Sequence, residues 1–223
     1  MENTTVVVTG AGGAIGAAVV EGFAADGATV LAGVHHDEGR FEETDAVETM
    51  RVDARDEFDV EFLMERAASE GGEIDLVVPC AAVFHGDPGE QELASESYAA
   101  FDDELRTNAR GVFVAISEAL PHLAADARVL VPSGSIADDA KPGYGGYAVS
   151  KAAAEAVVRQ FAVETDHTIG VVDPGVVASD LTGGQGREPE DVVGLFRWAA
   201  TDAPAEELDG QRLGLAEWKR ATR

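Results

Sequence analysis

The sequence predicts an α/β fold, a single doubly wound parallel sheet with helices on both faces, and three observations carry that expectation. Short β-branched runs alternate along the chain with longer amphipathic or alanine-rich segments, the pattern of a sheet covered by helices. A glycine-rich turn joins the first such run to the first such segment, where a doubly wound sheet opens. Right-handed crossovers then leave few other topologies for strands that alternate with helices.

The elements follow in order. "TVVVTG" is a β-branched strand, and "AIGAAVVEGFAADG" is an alanine-rich helix stopped by glycine. "ATVLAGV" and "ETMRVD" are the next two strands, and "EFDVEFLMERAASEG" is an acid-led amphipathic helix. "IDLVVPCAA" is an apolar strand, followed by one long helix over "AAFDDELRTNARGVFVAISEALPHL". "ARVLVPSG" and "TIGVVDPG" are strands on either side of the helix "YAVSKAAAEAVVRQFAVET". "EPEDVVGLFRWAATD" closes the helical set, with "GQRLGL" a weaker last strand. No linker or repeat divides the 223 residues, so one domain spanning 1–223 is expected.

Composition narrows the function classes. With 42 acidic against 16 basic residues the formal net charge is -26, so nucleic acid and anionic membranes would both repel the chain. Only three residues are lysines (Lys141, Lys151, Lys219), and the acids are scattered, as expected of an acid-coated surface adapted to concentrated salt. No run of about 18 apolar residues and no leader pattern occur, and the single cysteine, Cys80, cannot form an internal disulfide. A soluble, cytoplasmic protein is expected. The five histidines lack metal-ligand spacing, so no metal is expected.

Gly10, Gly12, Gly13 and Gly16 fall between a strand and a helix, where missing side chains let backbone N–H groups approach a pyrophosphate. A tight strand-to-helix connection would use the same residues. Asp53 ends the strand "TMRV", placed to accept from an adenine amino group or to cap the helix that follows. Tyr147 and Lys151 lie four apart at the start of a helix, hence on one face.

Taken together, "TGAGGAIG", "VDARDE", Asn108, "SGSIA", "YAVSK" and "PGVVASDL" resemble the short-chain dehydrogenase/reductase family in order and spacing along nearly the whole chain. The resemblance implies a Rossmann domain that binds NAD(P) and exchanges a hydride with a carbonyl or secondary alcohol. It implies Asn108, Ser135, Tyr147 and Lys151 as the catalytic set, with Ser133 the rival to Ser135. It further implies cofactor contacts at Gly10, Gly13, Ala14, Ile15, Gly16, His35, Asp53, Ala81, Pro174, Gly175, Val177 and Ser179, as well as at Tyr147 and Lys151. In this reading Lys151 lowers the phenol's pKa of about 10, since a neighbouring cation favours phenolate, and Asn108 holds a water of a proton relay.

The second strand ends in Val34, followed by His35 and His36 instead of an acid, so the cofactor leans towards NADP(H). His35 or Arg40 would face the 2'-phosphate, unless the histidines are plain loop residues. Homodimers or homotetramers are implied, with Ala148, Ala152 and Ala156 as a small-residue helix face and Trp218 between subunits. Two departures stand out. "PCAA" replaces the family's N-N-A-G, and "TGGQGREPED" leaves almost no substrate-covering loop, implying an open, shallow site. A dinucleotide-binding regulator or scaffold without turnover is the competing class, and a methyltransferase is disfavoured by Tyr147 with Lys151.

Overall fold

The computed structural model describes residues 1–36, 41 and 44–223; Arg40 lies outside them. Seven parallel strands form one sheet in the order β3-β2-β1-β4-β5-β6-β7. They are β1 (Thr5–Thr9), β2 (Thr29–Val34), β3 (Val47–Arg51), β4 (Ile74–Pro79), β5 (Leu123–Pro132), β6 (Thr168–Asp173) and β7 (Arg212–Gly214). The strand order reverses between β1 and β4, which pair directly from Val6 with Leu76 to Thr9 with Pro79. A crevice opens there beyond the carboxyl ends of the strands.

The helices are α1 (Ala14–Ala25), α2 (Glu57–Gly71), α3 (Tyr98–Glu104), α4 (Gly111–Ala119), α5 (Gly145–Glu164), α6 (Glu190–Thr201), α7 (Ala205–Leu208) and α8 (Leu215–Ala221). Alternation along β1 feeds two cores. Val6 and Val8 pack with Phe23 of α1 and Phe196 of α6, whereas Val7 packs with Leu63 of α2, Ile116 of α4 and Val158 of α5. Phe23 and Phe196 are fully buried, each contributing about 1.5–3 kcal/mol of transfer free energy. All seven expected strands are present. Among the described residues no helix is long and apolar enough to cross a membrane.

Two expectations are corrected. The long helix predicted around Asn108 is α3 and α4 joined by a π-helical segment, Leu105–Arg110, because the wider turn tucks Thr107, Asn108 and Ala109 inward as buried residues. Its predicted end, "PHL", is a 3-10 turn over Leu120–His122 running straight into β5, since Pro121 has no N–H to continue an α-helix. Trp218, half-buried, also packs against α6 of its own chain: a Cβ on Gly194 would lie 2.6 Å from its Cζ2, so the glycine leaves room for the indole.

The charge imbalance yields a first prediction. We expect the thermal unfolding midpoint to be higher in molar KCl than in dilute buffer, because 42 acids against 16 bases repel one another wherever screening is weak. Equal midpoints in calorimetric scans at the two salt levels would remove the salt-adapted reading.

Candidate active site

The turn after β1 is built by backbone contact. Gly10 has φ +65°, and a Cβ there would meet the Ala81 backbone nitrogen at 2.4 Å. A Cβ on Gly16 would lie 2.4 Å from the Gly10 carbonyl oxygen. α1 starts at Ala14 with Gly13 as its N-cap, no side-chain cap and no acid in its first turn. The N–H groups of Ala14, Ile15 and Gly16 therefore lack intrahelical partners and sit at the positive end of the helix dipole. That donor set fits a pyrophosphate.

His35 and Asp53 meet at the ends of β2 and β3, with Nε2 3.6 Å from Oδ2. Sequence reading missed Arg55, whose guanidinium bonds both Asp53 oxygens and also Asp103 at 2.8 Å. The hydrogen bond from Arg55 holds Asp53 down at about 2, against a smaller opposing effect of burial. Asp53 does not cap α2; Asp56 does, accepting from the Phe58 N–H at 3.0 Å. Only the "D-x-R" spacing hints at the Asp53–Arg55 pair.

A cleft of about 570 Å³ lies at the carboxyl ends of β4, β5 and β6. Tyr147 and Lys151 line it from α5, together with Ser133 and Ser135 after β5 and with Pro174 and Gly175 after β6. Ile15, Val177 and Ser179 also reach it. Residues 176–187 fold back on themselves, with the Ala178 N–H donating to the Arg187 carbonyl at 2.8 Å and the Arg187 N–H to that of Val176 at 2.9 Å. Leu181, Thr182 and Gln185 thereby wall the cleft. The short "TGGQGREPED" region covers more than its length implies, because backbone pairing turns it inward.

Around the phenol the electrostatics differ from expectation. Tyr147 is half-buried, with its ring 5.1 Å from that of Phe84. Burial pushes its pKa up to about 12, and the Glu104 charge adds to the rise. Lys151 is buried, and its Nζ donates to the Pro132 carbonyl at 2.7 Å. Burial lowers it to about 8, opposed by Glu155 one turn on. The expected acidification of Tyr147 by Lys151 is thus absent from this structure. Desolvation dominates both groups, and the ammonium is spent on a carbonyl.

Asn108 departs from expectation too. Its Oδ1 accepts from the Val83 N–H at 2.7 Å, and its Nδ2 donates to the Val83 carbonyl at 2.8 Å and to Ser150 Oγ at 2.9 Å. Both ends of the amide are occupied by protein, so the side chain ties the segment after β4 to α5. Ser150 Oγ in turn donates to the Tyr147 carbonyl at 2.8 Å. The two serines also differ: Ser135 Oγ accepts from Lys141 Nζ at 3.0 Å, whereas Ser133 Oγ is buried without a partner among the described residues. Cys80, in the divergent "PCAA", extends the sheet through its N–H to Thr9 at 2.9 Å, and burial pushes its thiol up to about 12. A thiol held protonated in this way is a poor nucleophile.

Behind the site, Arg212 of β7 bonds Glu155 of α5 at 2.6 Å and Asp138 of the turn after β5 at 2.7 Å.

Residues 10–207 match the family model described as enoyl-(acyl carrier protein) reductase. The chain belongs to the short-chain dehydrogenase/reductase family. Among curated relatives, the 1,2-dihydroxy-1,2-dihydronaphthalene dehydrogenase of a Ralstonia species is 31% identical over 185 residues, covering 80% of this chain and 71% of its own. Glycine betaine reductase of Emericella nidulans is 30% identical over 189 residues, or 79% of this chain, but the match spans only 15% of that longer protein. Of solved structures, a short-chain dehydrogenase from Burkholderia cenocepacia in complex with NADP superposes with TM-score 0.84 at 24% identity, covering 96% of each chain. A 3-ketoacyl-(acyl-carrier-protein) reductase from Brucella melitensis complexed with NADH gives 0.85 at 21%, covering 96% and 97%. These two superpositions establish the dehydrogenase/reductase fold.

Proposed function

We propose that this short-chain dehydrogenase/reductase transfers a hydride between a nicotinamide dinucleotide and a carbonyl or secondary-alcohol carbon, with Tyr147 as the acid/base. The observation that carries the reading is the convergence of Tyr147, Lys151, Ser133 and the Pro174–Gly175 turn on one cleft beside the uncapped start of α1. When bound, a nicotinamide dinucleotide supplies the hydride.

The chain's own residues do the rest. Backbone N–H groups of Ala14, Ile15 and Gly16 bind pyrophosphate, and Lys151 offers its remaining donors to ribose hydroxyls. As a carbonyl carbon gains a hydride, its π electron pair moves to oxygen, and the Tyr147 O–H passes its proton there, giving the alcohol. The proton lost from Tyr147 returns from solvent. A phenol held near 12 stays protonated at neutral pH, the state this donor role requires. Ser133 is the stronger candidate to steady the substrate oxygen, because its buried Oγ lacks a partner while Ser135 is engaged by Lys141. The divergent "PCAA" at the end of β4 favours one rival reading, a dinucleotide binder without turnover. A panel of carbonyls and alcohols, followed at the nicotinamide absorbance band in molar salt, separates them: turnover with any member supports the enzyme, and binding without turnover across the panel supports the rival.

NADP(H) is the preferred cofactor in this reading. Val34 leaves no carboxylate at the end of β2, and the nearby Asp53 charge is compensated by Arg55. Side-by-side fluorescence titrations should give tighter NADPH than NADH binding. His35→Ala should weaken NADPH about three- to tenfold, the worth of one ordinary hydrogen bond at a partly exposed site. Tighter NADH binding would reverse the assignment. A cytoplasmic homodimer or homotetramer belongs to the same reading, since Ala148 and Ala152 are half-buried and Ala156 is exposed on the outer face of α5.

A further inference from the structure

Two glutamates that no step above uses lie beneath the first turn of α5. Glu104, the last residue of α3, has no solvent exposure, and Glu96 sits in the segment before α3. Glu96 Oε2 accepts from the Gly146 N–H at 2.6 Å, and Glu104 Oε1 accepts from the His85 N–H at 2.9 Å. Their other oxygens, Glu96 Oε1 and Glu104 Oε2, are both buried with no donor among the described residues. Both crowd the same point: a Cβ on Gly146 would lie 2.7 Å from Glu104 Oε2 and 2.8 Å from Glu96 Oε1. Two ionised carboxylates in so small a space would repel, and each would leave a lone pair unsatisfied.

We propose that Glu96 and Glu104 share one proton across these two oxygens, and that the pair is a positioning device that seats Gly146, and with it Tyr147, at the start of α5. The structure dictates which member carries the proton. Glu96 accepts from the amide at the positive end of a 20-residue helix, so its charge is favoured. Glu104 is enclosed on α3 and donates from Oε2 to Glu96 Oε1. Gly146 is required here because any side chain would fill the space the two carboxyls occupy.

The charged and titratable groups facing the pair are few. His85 follows β4, and its ring Nε2 is 2.8 Å from Asp103, which also binds Arg55. Tyr147 and Tyr144 come from α5, and the Glu104 charge acts on Tyr147. Burial, reinforced by the neighbouring Glu96, raises Glu104 from 4.5 to about 7. The sign follows. With the folded pKa above the unfolded one, the pair stabilises the fold least when ionised, so its contribution falls as pH rises from about 4.5 to about 7 and stays at its minimum above.

The test uses the whole protein with Glu104→Gln, whose amide mimics the protonated carboxyl, and Glu104→Leu, which removes the hydrogen bond. Infrared difference spectra of the wild type should show the stretch of a protonated carboxyl at about pH 6 that bleaches by about pH 8, the window of a group near 7. Glu104→Gln should lack that band, and its melting temperature relative to the wild type should rise as pH goes from about 4.5 to about 7.

The positioning role rests on the hydride-transfer reading and is measured separately. Wild-type kcat/KM for carbonyl reduction should fall at least about threefold between about pH 6 and about pH 8, as loss of one essential proton requires. That fall should be absent in Glu104→Gln, while Glu104→Leu should lose turnover at every pH. No protonated-carboxyl band in the wild type, or the same band in Glu104→Gln, overturns the shared proton. A wild-type pH fall that Glu104→Gln retains overturns the positioning role. If the band and the melting shift appear and no substrate turns over, the pair stands and the proposed function is what fails.

Discussion

Tyr147→Phe is expected to lower carbonyl reduction by about 10²–10⁴-fold, the usual contribution of a positioned general acid, while dinucleotide binding stays within about twofold of wild type. The substitution removes one oxygen from a half-buried ring and leaves the ring contact with Phe84 intact. It also leaves the Tyr147 carbonyl available to Ser150 Oγ. The fold should therefore survive, and the loss should appear in kcat more than in cofactor affinity. Because burial raises the phenol's pKa, the wild-type donor is protonated at neutral pH. Steady-state rates with the best panel substrate decide the matter. A Phe variant within tenfold of wild type would remove Tyr147 from the chemistry.

Gly16→Val should have the second-largest effect, on both stability and binding. Its Cβ would fall 2.4 Å from the Gly10 carbonyl oxygen and 2.9 Å from Ala11 Cα, and both are backbone atoms that cannot swing aside. Overpacking of this kind costs about 1–3 kcal/mol, and the turn must open to relieve it. Opening spreads the N–H groups of residues 14–16, so dinucleotide affinity should drop more than about tenfold, or about 1.4 kcal/mol. Gly12→Ala is the control for stability: among the described residues its Cβ would meet only Val34, with Cγ1 at 3.9 Å and Cβ at 4.0 Å. Chemical denaturation paired with dinucleotide titration reads both effects. If Gly16→Val binds and unfolds like the Gly12→Ala control, backbone crowding is not what shapes this turn.

The strands and the order of the motifs were legible in the sequence because burial on both faces forces apolar runs and the cleft draws on short, local turns. Gly10 and Gly16 shape the turn after β1, and Tyr147, Lys151 and the Pro174–Gly175 turn line one cleft. What was not legible is what depends on contacts between distant segments. Arg55 gives no sign of reaching Asp103, 48 residues on. Asn108 looks like a relay residue until Val83 is seen to occupy both ends of its amide. Neither Glu96 nor Glu104 differs in the sequence from the chain's many other acids, since burial alone sets the pair apart. The direction of the Tyr147 shift was misjudged for a related reason: spacing reveals a cation nearby but not the carbonyl that engages it, nor the desolvation that outweighs it.

The guanidinium at position 212 makes the far end of the chain a party to events in the cleft. One cation holds an almost fully buried Glu155, one turn beyond Lys151, and reaches across to the turn that presents the two serines. Salt that thins attraction between exposed charges, the Asp138 arm included, leaves the enclosed Arg212–Glu155 contact largely untouched. In brine, where most of the acidic coat is electrically quiet, the final strand would still feel the reaction centre, and the reaction centre the final strand.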